Sequence, residues 1–276
     1  MSFHRPLIMG VLNVTPDSFS DGGQHDTLET ALDHARVLAI GGADIIDVGG
    51  ESTRPGAERV PIQEEIARVV PIIRAIKAEL GVLVSIDTMN ALTARAAVEA
   101  GADIINDVSG GLADSEIFRV AAESGATIVI SHWRGHDRGA ASQHEYEDIA
   151  KDVSAELQLQ VDKAISAGIH RDKIVIDPGL GFAKDLKQNW ELVARLDELE
   201  SLGLPILVGA SRKRFIAGAI APEAPSEADN GRRDLATAVL TALLMQRKLW
   251  GVRVHNVVAT EDAISIVSAL HQAKEA

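Results

Sequence analysis

The sequence has no cysteine and fewer basic than acidic residues. The lack of cysteine excludes disulfides, thiolate nucleophiles and Cys-ligated metal sites, and nothing in the sequence indicates export. Forty Asp and Glu residues against 27 Lys and Arg give a formal net charge of −13. An extended nucleic-acid-binding face is not expected, because binding a phosphate backbone usually requires a domain rich in Lys and Arg. Any anionic ligand should therefore be small and bound locally.

A membrane span and a secretion signal are also not expected. The stretch MSFHRPLIMGVLNV contains an apolar run far too short to cross a bilayer, and it lacks a signal-peptide cleavage pattern. We expect a soluble, cytoplasmic protein. Its 276 residues, 46% of them hydrophobic, can bury one large core or two small ones. Because no low-complexity linker divides the chain, we predict a single domain over residues 1–276, with the polar segment 219–234 as a surface insertion.

Short β-rich apolar runs alternate with segments of helical periodicity. Helices are predicted over Thr27–Ile40, with Asp26 as the N-cap, and over Glu64–Leu80. The apolar runs are LIMGVL, ADIIDVG, VLVSID, ADIIND, TIVISH, KIVID, PILVGA and WGVRVH. Eight parallel strands with helical crossovers in a chain of this length predict an α/β fold of the (β/α)8 or TIM barrel type. A doubly wound open sheet is the competing architecture.

A polar residue ends or follows each apolar run. In a parallel barrel the carboxyl ends of all strands face one mouth, where enzymes of this fold place their chemistry. One such residue alone could equally be a helix N-cap, but a polar residue at every strand end favours a ligand site. These residues are Asn13, Asp47, Asp87, Asn106, His132, Asp177, Ser211 and the pair Arg253 and His255.

Positive charge is concentrated at two of these strand ends. Arg253 and His255 are two residues apart, so they should project from the same side of the last strand. Arg212, Lys213 and Arg214 begin the helix after the seventh strand, where cations oppose the helix dipole unless an anion is bound beside them. We expect a phosphate or carboxylate between the two groups. The alternatives are that the strand-eight pair consists of surface residues and that the three cations after strand seven form a solvated basic turn.

Three loops at the same end have distinctive compositions. NVTPDSFSDGG and GGESTRPGAERVP are rich in Gly, Pro and small polar residues, which suits loops that close over a ligand and also suits tight turns. DPGLGFAK lacks the GxGxxG spacing and the helix context of a dinucleotide fingerprint. Its informative residue is Asp177, at a strand end.

Together the motifs resemble those of the dihydropteroate synthases, a folate-pathway enzyme family. The resemblance rests on MGVLNVTPDSFSDGG, DVGGESTRPGA, SIDT, INDVSGG, DPGLGFAK, GASRKRF and RVHNV, which occur in the family's order from Met9 to Val257. It implies a (β/α)8 barrel that joins 6-hydroxymethyl-7,8-dihydropterin diphosphate to p-aminobenzoate, giving 7,8-dihydropteroate and pyrophosphate with Mg²⁺. It further implies a homodimer and a target of sulfonamides.

The resemblance places the pterin deep in the barrel. Asp177 would accept hydrogen bonds from the guanidine-like edge of the ring, and Lys213 would donate to its carbonyl side. Many family members carry Met-His-Met where this chain has Ser131-His132-Trp133, so an indole would pack one face of the pterin, with Arg253 on the other. The pterin residues are Asp87, Asn106, Trp133, Asp177, Lys213 and Arg253.

The resemblance assigns the diphosphate to Asn13, Arg253 and His255. Mg²⁺ would bridge Asn13 and the phosphate oxygens and keep several waters, because a lone amide oxygen is a weak ligand. The p-aminobenzoate site would consist of Thr53, Arg54, Pro55, Phe182 and Ser211.

No residue looks like a covalent nucleophile. The resemblance implies an SN1-like substitution instead. Pyrophosphate would leave first, and the aniline nitrogen would attack the resulting carbocation at the pterin methylene. The catalytic residues would be Asp87, which stabilises the carbocation, and Lys213 and Arg253, which stabilise the departing charge. Two alternatives are a pterin-binding methyltransferase barrel that uses methyltetrahydrofolate and a corrinoid partner, and a non-catalytic pterin-binding paralogue. Neither would need a diphosphate clamp.

Overall fold

The computed structural model describes residues 5–14, 24–51, 60–135 and 145–275. Its strands are β1 (Leu7–Asn13), β2 (Ile45–Gly49), β3 (Leu83–Asp87), β4 (Ile104–Asp107), β5 (Thr127–Ser131), β6 (Ile174–Asp177), β7 (Leu207–Val208) and β8 (Gly251–Val254). Its helices are α1 (Gln24–Ile40), α2 (Ile62–Glu79), α3 (Ala91–Glu99), α4 (Glu116–Ser124), α5 (Ile149–Ser166), α6 (Leu186–Ala194), α7 (Asp197–Glu200), α8 (Arg214–Ile220), α9 (Asn230–Leu244) and α10 (Val257–Glu275). Among these helices, none combines the length and apolar character that crossing a membrane requires.

The strands form a parallel sheet that curls into a ring. Their order is β6-β5-β4-β3-β2-β1-β8-β7. A parallel β-bridge between Ile176 and Ile206 joins β6 to the segment that enters β7, and the amide of Ile176 donates to the carbonyl of Pro205 at 2.9 Å. A doubly wound sheet would have two open edges, whereas here the first and last strands of the order meet. The predicted (β/α)8 barrel is therefore confirmed.

All the predicted strands form, but helix boundaries differ from the sequence-based ones. Helix α1 begins at Gln24, so Asp26 lies inside the helix and its prediction as the N-cap is wrong. Helix α2 begins directly after Pro61, which is the N-cap residue and has no side-chain cap. The polar segment 219–234 is only partly an insertion, since α9 starts at Asn230 and Asp234 is buried. Hydrophobic periodicity locates the buried face of a helix, while its ends depend on local backbone geometry.

Because side chains alternate along the strands, the buried apolar residues form two separate clusters, one outside the barrel wall and one inside it. Outward-facing residues such as Ile46, Ile86 and Ile105 pack against the helices in one continuous cluster. Towards the carboxyl ends of the strands, the inner face becomes polar. The barrel is thus closed by side chains at one end and lined by polar groups at the other. The apolar residues that fill its interior are Met9, Ile45, Ile104, Val129, Val175 and Leu207.

A buried carboxylate on α2 anchors the turn after β3. Glu65 is fully buried and accepts hydrogen bonds from Thr88 Oγ1 (2.7 Å), Asn90 Nδ2 (2.7 Å) and Thr93 Oγ1 (2.6 Å). These donors replace the water that the carboxylate loses on burial. Because Thr88 directly follows Asp87, the cluster fixes the backbone at the end of β3.

We expect Glu65→Gln to destabilise the fold. The amide preserves size, but its NH₂ group would face donors and leave at least one without an acceptor, at a cost of about 1–3 kcal/mol. Urea denaturation measures the loss. Glu64→Gln is the matched control, because Glu64 is exposed and pairs with Arg68 on the same helix; its effect should stay within about 0.5 kcal/mol. Equal losses in the two variants would contradict the anchoring role of Glu65.

Candidate active site

Polar residues from several strands meet at the carboxyl end of the barrel. They converge because each occupies the inner face of its strand close to the mouth. Asp87 on β3 and Asn106 on β4 are neighbours in register, as are Ser131 on β5 and Asp177 on β6. All of these side chains are buried. The structure therefore gathers the predicted pterin residues of β3, β4 and β6 around one space.

Arg253 bridges two of the carboxylates that line this space. Its Nε donates to Asp47 Oδ2 at 2.6 Å, and one of its terminal nitrogens, Nη2, donates to Asp87 Oδ2 at 2.7 Å. Asn106 Nδ2 donates to the same oxygen of Asp47 at 3.1 Å. The sequence marked Asp47 only as a strand-end residue, and no role was predicted for it. Its position on β2, in phase with the other strand ends, was the available signal.

Burial and mutual charge set the ionisation of this cluster. Burial raises the pKa of Asp87, the Arg253 guanidinium opposes that rise, and the Asp47 carboxylate adds to it. Burial disfavours the Arg253 cation, but the carboxylates of Asp47 and Asp87 outweigh this effect and raise its pKa. One cation between two buried carboxylates leaves a net negative site, which favours a ligand that presents N–H donors or positive charge.

Buried acceptors in the same cluster lack partners among the described residues. These atoms are Asp47 Oδ1, Ser85 Oγ and Asp87 Oδ1. Asp47 and Ser85 are register partners across β2 and β3, and Ser85 lies two residues before Asp87 on the same face. A buried carboxylate oxygen without a donor is costly. A ligand that brings donors to this position would remove that cost. For Ser85, this spacing from Asp87 is the signal that the sequence offers.

Asp177 and Lys213 face each other across a position that has no side chain. Asp177 Oδ1 accepts from the amide of Gly179 at 2.6 Å. A Cβ atom at Gly209 would lie 3.4 Å from Asp177 Oδ2 and 4.0 Å from Lys213 Nζ. Glycine at this point therefore keeps open the space between a carboxylate and an ammonium. Burial raises the pKa of Asp177, while Lys213 and the Gly179 amide oppose the rise.

Lys213 reaches the mouth by crossing the loop after β6. Its Nζ donates to the carbonyl of Leu180 and lies 4.5 Å from the centre of the Phe182 ring. Gly181 has a φ of 78°, and a Cβ there would be 2.8 Å from Lys213 Cδ, so glycine suits both the backbone conformation and the close approach of the lysine stem. Burial lowers the pKa of Lys213 to about 8, and the Asp177 carboxylate limits that decrease. Phe182 and Lys213 are thus in contact, as expected if both border one subsite.

The predicted cluster of three cations after β7 does not form. Arg212 has a φ of 60° and directs its guanidinium away from the mouth, to Asp234 on α9. Two hydrogen bonds of 2.8 Å join the guanidinium to the two carboxylate oxygens. Arg214 is exposed at the start of α8. Only Lys213 reaches the mouth, because the left-handed conformation of Arg212 turns successive side chains in different directions.

The ends of β7 and β8 are joined by a serine and a histidine. Ser211 Oγ accepts from the amide of His255 at 3.2 Å and lies 2.9 Å from His255 Nδ1. Ser211 is buried and His255 is half-buried. On the neighbouring strand β1, Asn13 Oδ1 would lie 3.6 Å from a Cβ at Gly49. Asn13 and His255 are both half-buried at the rim, Asn13 at the end of β1 and His255 directly after β8, the strand that carries Arg253.

The end of β5 differs from the prediction. His132 does not face the mouth: its ring contacts Glu156 on α5 and Lys184, behind the loop after β6. Strand alternation explains this, since Ser131 takes the inward position and the next residue must face outward. Trp133 is half-buried. Its packing against a pterin opposite Arg253 stays a prediction.

Part of the predicted site lies outside the described residues. This applies to Thr53, Arg54 and Pro55, and to most of both loops rich in Gly and Pro. Across the residues that are described, no group of three or more His, Cys, Asp or Glu side chains is arranged to hold a metal ion.

Comparison with known proteins identifies the family. The sequence model of the family described as pterin binding enzyme matches residues 9–255. The dihydropteroate synthase of Mycobacterium leprae is 45% identical over 271 residues, covering 98% of this chain and 95% of that protein. The enzyme of the same name from Streptococcus pyogenes serotype M3 is 46% identical over 263 residues, covering 95% of each.

Solved structures agree with the sequence relatives. Xanthomonas albilineans dihydropteroate synthase with 4-aminobenzoic acid superposes with a TM-score of 0.87 at 40% identity, covering 97% of this chain and 93% of that one. The dihydropteroate synthase of Clostridium difficile in the presence of pteroic acid gives a TM-score of 0.87 at 40% identity and covers 98% of both chains. These matches confirm the resemblance seen in the motifs. The chain belongs to the family of pterin-binding enzymes and groups within it with the dihydropteroate synthases.

Proposed function

We propose that this chain condenses 6-hydroxymethyl-7,8-dihydropterin diphosphate with p-aminobenzoate to give 7,8-dihydropteroate and pyrophosphate. The observation that carries the proposal is the pairing of Asp177 with Lys213 across Gly209, beside buried acceptors on β2 and β3. A flat heterocycle with N–H donors on one edge and a carbonyl on the other matches this pairing. Pteroic acid, named for one related structure, contains such a heterocycle, and 4-aminobenzoic acid, named for another, is the proposed second substrate.

The pterin is held by groups of complementary polarity. Asp177 accepts from the guanidine-like edge through the oxygen that faces Gly209, and Lys213 donates to the ring carbonyl. Asp87 and Asn106 complete the floor of the pocket from β3 and β4. Because these groups are buried and preorganised, little reorganisation is needed when the ring binds.

The diphosphate is placed at the rim by Asn13, Arg253 and His255. Arg253 uses Nε and Nη2 to hold Asp47 and Asp87, and its other terminal nitrogen, Nη1, is left to donate to a phosphate oxygen. Asn13 Oδ1 is the protein ligand we assign to Mg²⁺. A single amide oxygen fits an ion that binds together with its phosphate substrate and retains waters. Mg²⁺, when bound, would neutralise charge on the departing pyrophosphate.

Bond breaking precedes bond making in the proposed reaction. The carbon–oxygen bond to the diphosphate breaks, the electron pair leaves with pyrophosphate, and the pterin methylene becomes a carbocation. The buried carboxylate of Asp87 stabilises that cation, while Arg253 and Lys213 stabilise the departing charge. The nitrogen of p-aminobenzoate then forms the new bond to the methylene carbon, and its proton passes to the released pyrophosphate or to water. No protein nucleophile is required.

The p-aminobenzoate subsite is placed beside Lys213. Phe182, on the loop after β6, contacts that lysine, and Ser211 lies two residues before it, after β7. Thr53, Arg54 and Pro55 are proposed for the remaining wall. This arrangement separates the aminobenzoate from the carboxylates on the barrel floor.

We also propose that the protein acts as a homodimer in the cytoplasm. Helix α9 exposes Leu235, Val239 and Leu243, which recur every four residues and are 54–65% exposed. With Trp190 and Ile220 they line a depression of about 440 Å³. An apolar stripe of this kind is typical of a surface that a second subunit covers. Sedimentation equilibrium tests this, and a monomeric mass at micromolar concentration would contradict it.

The direct test of function is product formation. Purified protein is incubated with the pterin diphosphate, p-aminobenzoate and Mg²⁺, and dihydropteroate and pyrophosphate are quantified by chromatography and mass spectrometry. We expect equimolar products, with little turnover when Mg²⁺ is chelated. Pterin binding without product would instead indicate a non-catalytic paralogue.

We expect Asp177→Asn to weaken pterin binding while the fold is retained. The amide oxygen can still accept from Gly179, but its NH₂ group would face ligand donors and the charge would be lost. The cost is roughly 1.5–3 kcal/mol, or about 10- to 100-fold in affinity. Calorimetry with the pterin measures it. Asp172→Asn, at an exposed aspartate just before β6, is the control, and equal pterin affinity in both variants would contradict the assignment.

The Arg212–Asp234 pair should position Ser211 and Lys213 rather than bind an anion. The left-handed conformation of Arg212 costs about 1–2 kcal/mol, and the ion pair with Asp234 holds the residue in it. Because Asp234→Ala removes that partner, we expect kcat/KM to fall about tenfold. Adding Arg212→Gly should restore part of this activity, because glycine adopts that conformation without strain. If Arg212 bound substrate, the second substitution would instead lower kcat/KM further.

A further inference from the structure

A buried polar cluster lies behind the loop that follows β6, outside the residues proposed to contact substrate. Its centre is Lys184, which is only 6% exposed. Lys184 Nζ lies 2.9 Å from His132 Nδ1 and donates to the carbonyls of Gly179 at 3.0 Å and Phe182 at 3.1 Å. An ammonium has three hydrogens, and these acceptors account for all of them.

His132 continues the cluster toward α5. Because Lys184 donates to Nδ1, the neutral ring carries its proton on Nε2, which lies 3.0 Å from Glu156 Oε2. Burial and the Lys184 charge lower the pKa of His132 to about 4, so the ring stays neutral at physiological pH. Glu156 also pairs with Arg134, which stacks on Tyr146 at 3.8 Å.

The cluster fixes the backbone of the loop from several directions. Lys184 holds the carbonyls of Gly179 and Phe182, and the Tyr146 hydroxyl donates to the carbonyl of Ala183 at 2.9 Å. Ala183 has a φ of 48°, an uncommon conformation for a residue with a side chain. A strained loop keeps such a conformation only when surrounding contacts determine it.

The opposite side of the loop carries the proposed catalytic lysine. Lys213 donates to the carbonyl of Leu180 and contacts the ring of Phe182. The loop therefore separates two ammonium groups, with Lys184 on the inside and Lys213 at the mouth. Moving the Phe182 carbonyl away from Lys184 would also move the ring that borders Lys213.

We propose that Lys184 is a positioning residue that holds the loop over Gly179–Phe182 and thereby sets Phe182 for p-aminobenzoate. The proposal rests on the proposed function. Pterin diphosphate should be less affected, because Asp177 is held within β6 by its pairing with β5, and Lys213 lies on the turn after β7. Asp87, Asn106 and Arg253 lie on strands that Lys184 does not contact. Lys184 would thus affect the binding of p-aminobenzoate without contacting either substrate.

The test compares Lys184→Met with Lys187→Met. Lys187 is exposed on α6, where it pairs with Glu191, so the control makes the same chemical change outside the cluster. For Lys184→Met we expect the KM for p-aminobenzoate to rise about tenfold, and that for the pterin diphosphate to stay within about twofold. Lys187→Met should match the wild type. Equal rises in both KM values, or no rise, would overturn the proposal.

Tyr146→Phe keeps the proposal testable if Lys184→Met does not fold. It removes only the hydroxyl that holds the Ala183 carbonyl, and it should raise the KM for p-aminobenzoate by about threefold. An unchanged KM in that case would overturn the proposal. A wild-type protein that makes no dihydropteroate would refute the proposed function, whereas an active wild type with an unaffected Lys184→Met refutes only the role of Lys184.

Discussion

The site depends on one buried guanidinium that holds two carboxylates from other strands. Arg253 on β8 donates to Asp47 on β2 and Asp87 on β3, so it joins strands on both sides of β1. Without that cation, the two carboxylates would share a desolvated space and repel each other. The same charge lies where a leaving diphosphate would develop negative charge. Arg253 therefore stabilises the folded site and also serves the proposed reaction.

Charged groups of both signs are fixed around the mouth of the barrel. Carboxylates lie on β2, β3 and β6, Arg253 bridges two of them from β8, and Lys213 approaches from the turn after β7. In a desolvated site such fixed charges act more strongly than they would in water. A reaction that separates a cation from an anion benefits from this arrangement, because the stabilising groups are already in place and little solvent reorganisation is needed.

Within each motif, one residue faces the ligand space and its neighbours build the turn that holds it. In INDVSGG, Asn106 faces inward, whereas Asp107 accepts from the amides of Ser109 at 2.8 Å and Gly111 at 2.6 Å. In DPGLGFAK, Asp177 faces inward and Lys184 fastens the loop from behind. Each long motif thus contains one residue that faces the ligand space and several that stabilise the local backbone, and the two kinds of residue need separate explanations.

The sequence by itself determined the barrel and most of the residues at its mouth, because strand alternation and strand-end polarity are local properties. Asp87, Asn106, Asp177 and Arg253 fall where the apolar runs end, and a parallel barrel must bring those ends together. Tertiary structure decided the pairings. In the folded chain Arg212 pairs with Asp234, His132 contacts Glu156, and Asp47 pairs with Arg253. These choices depend on backbone conformation and on contacts between residues far apart in the chain, such as the 206 positions that separate Asp47 from Arg253, which no local pattern encodes.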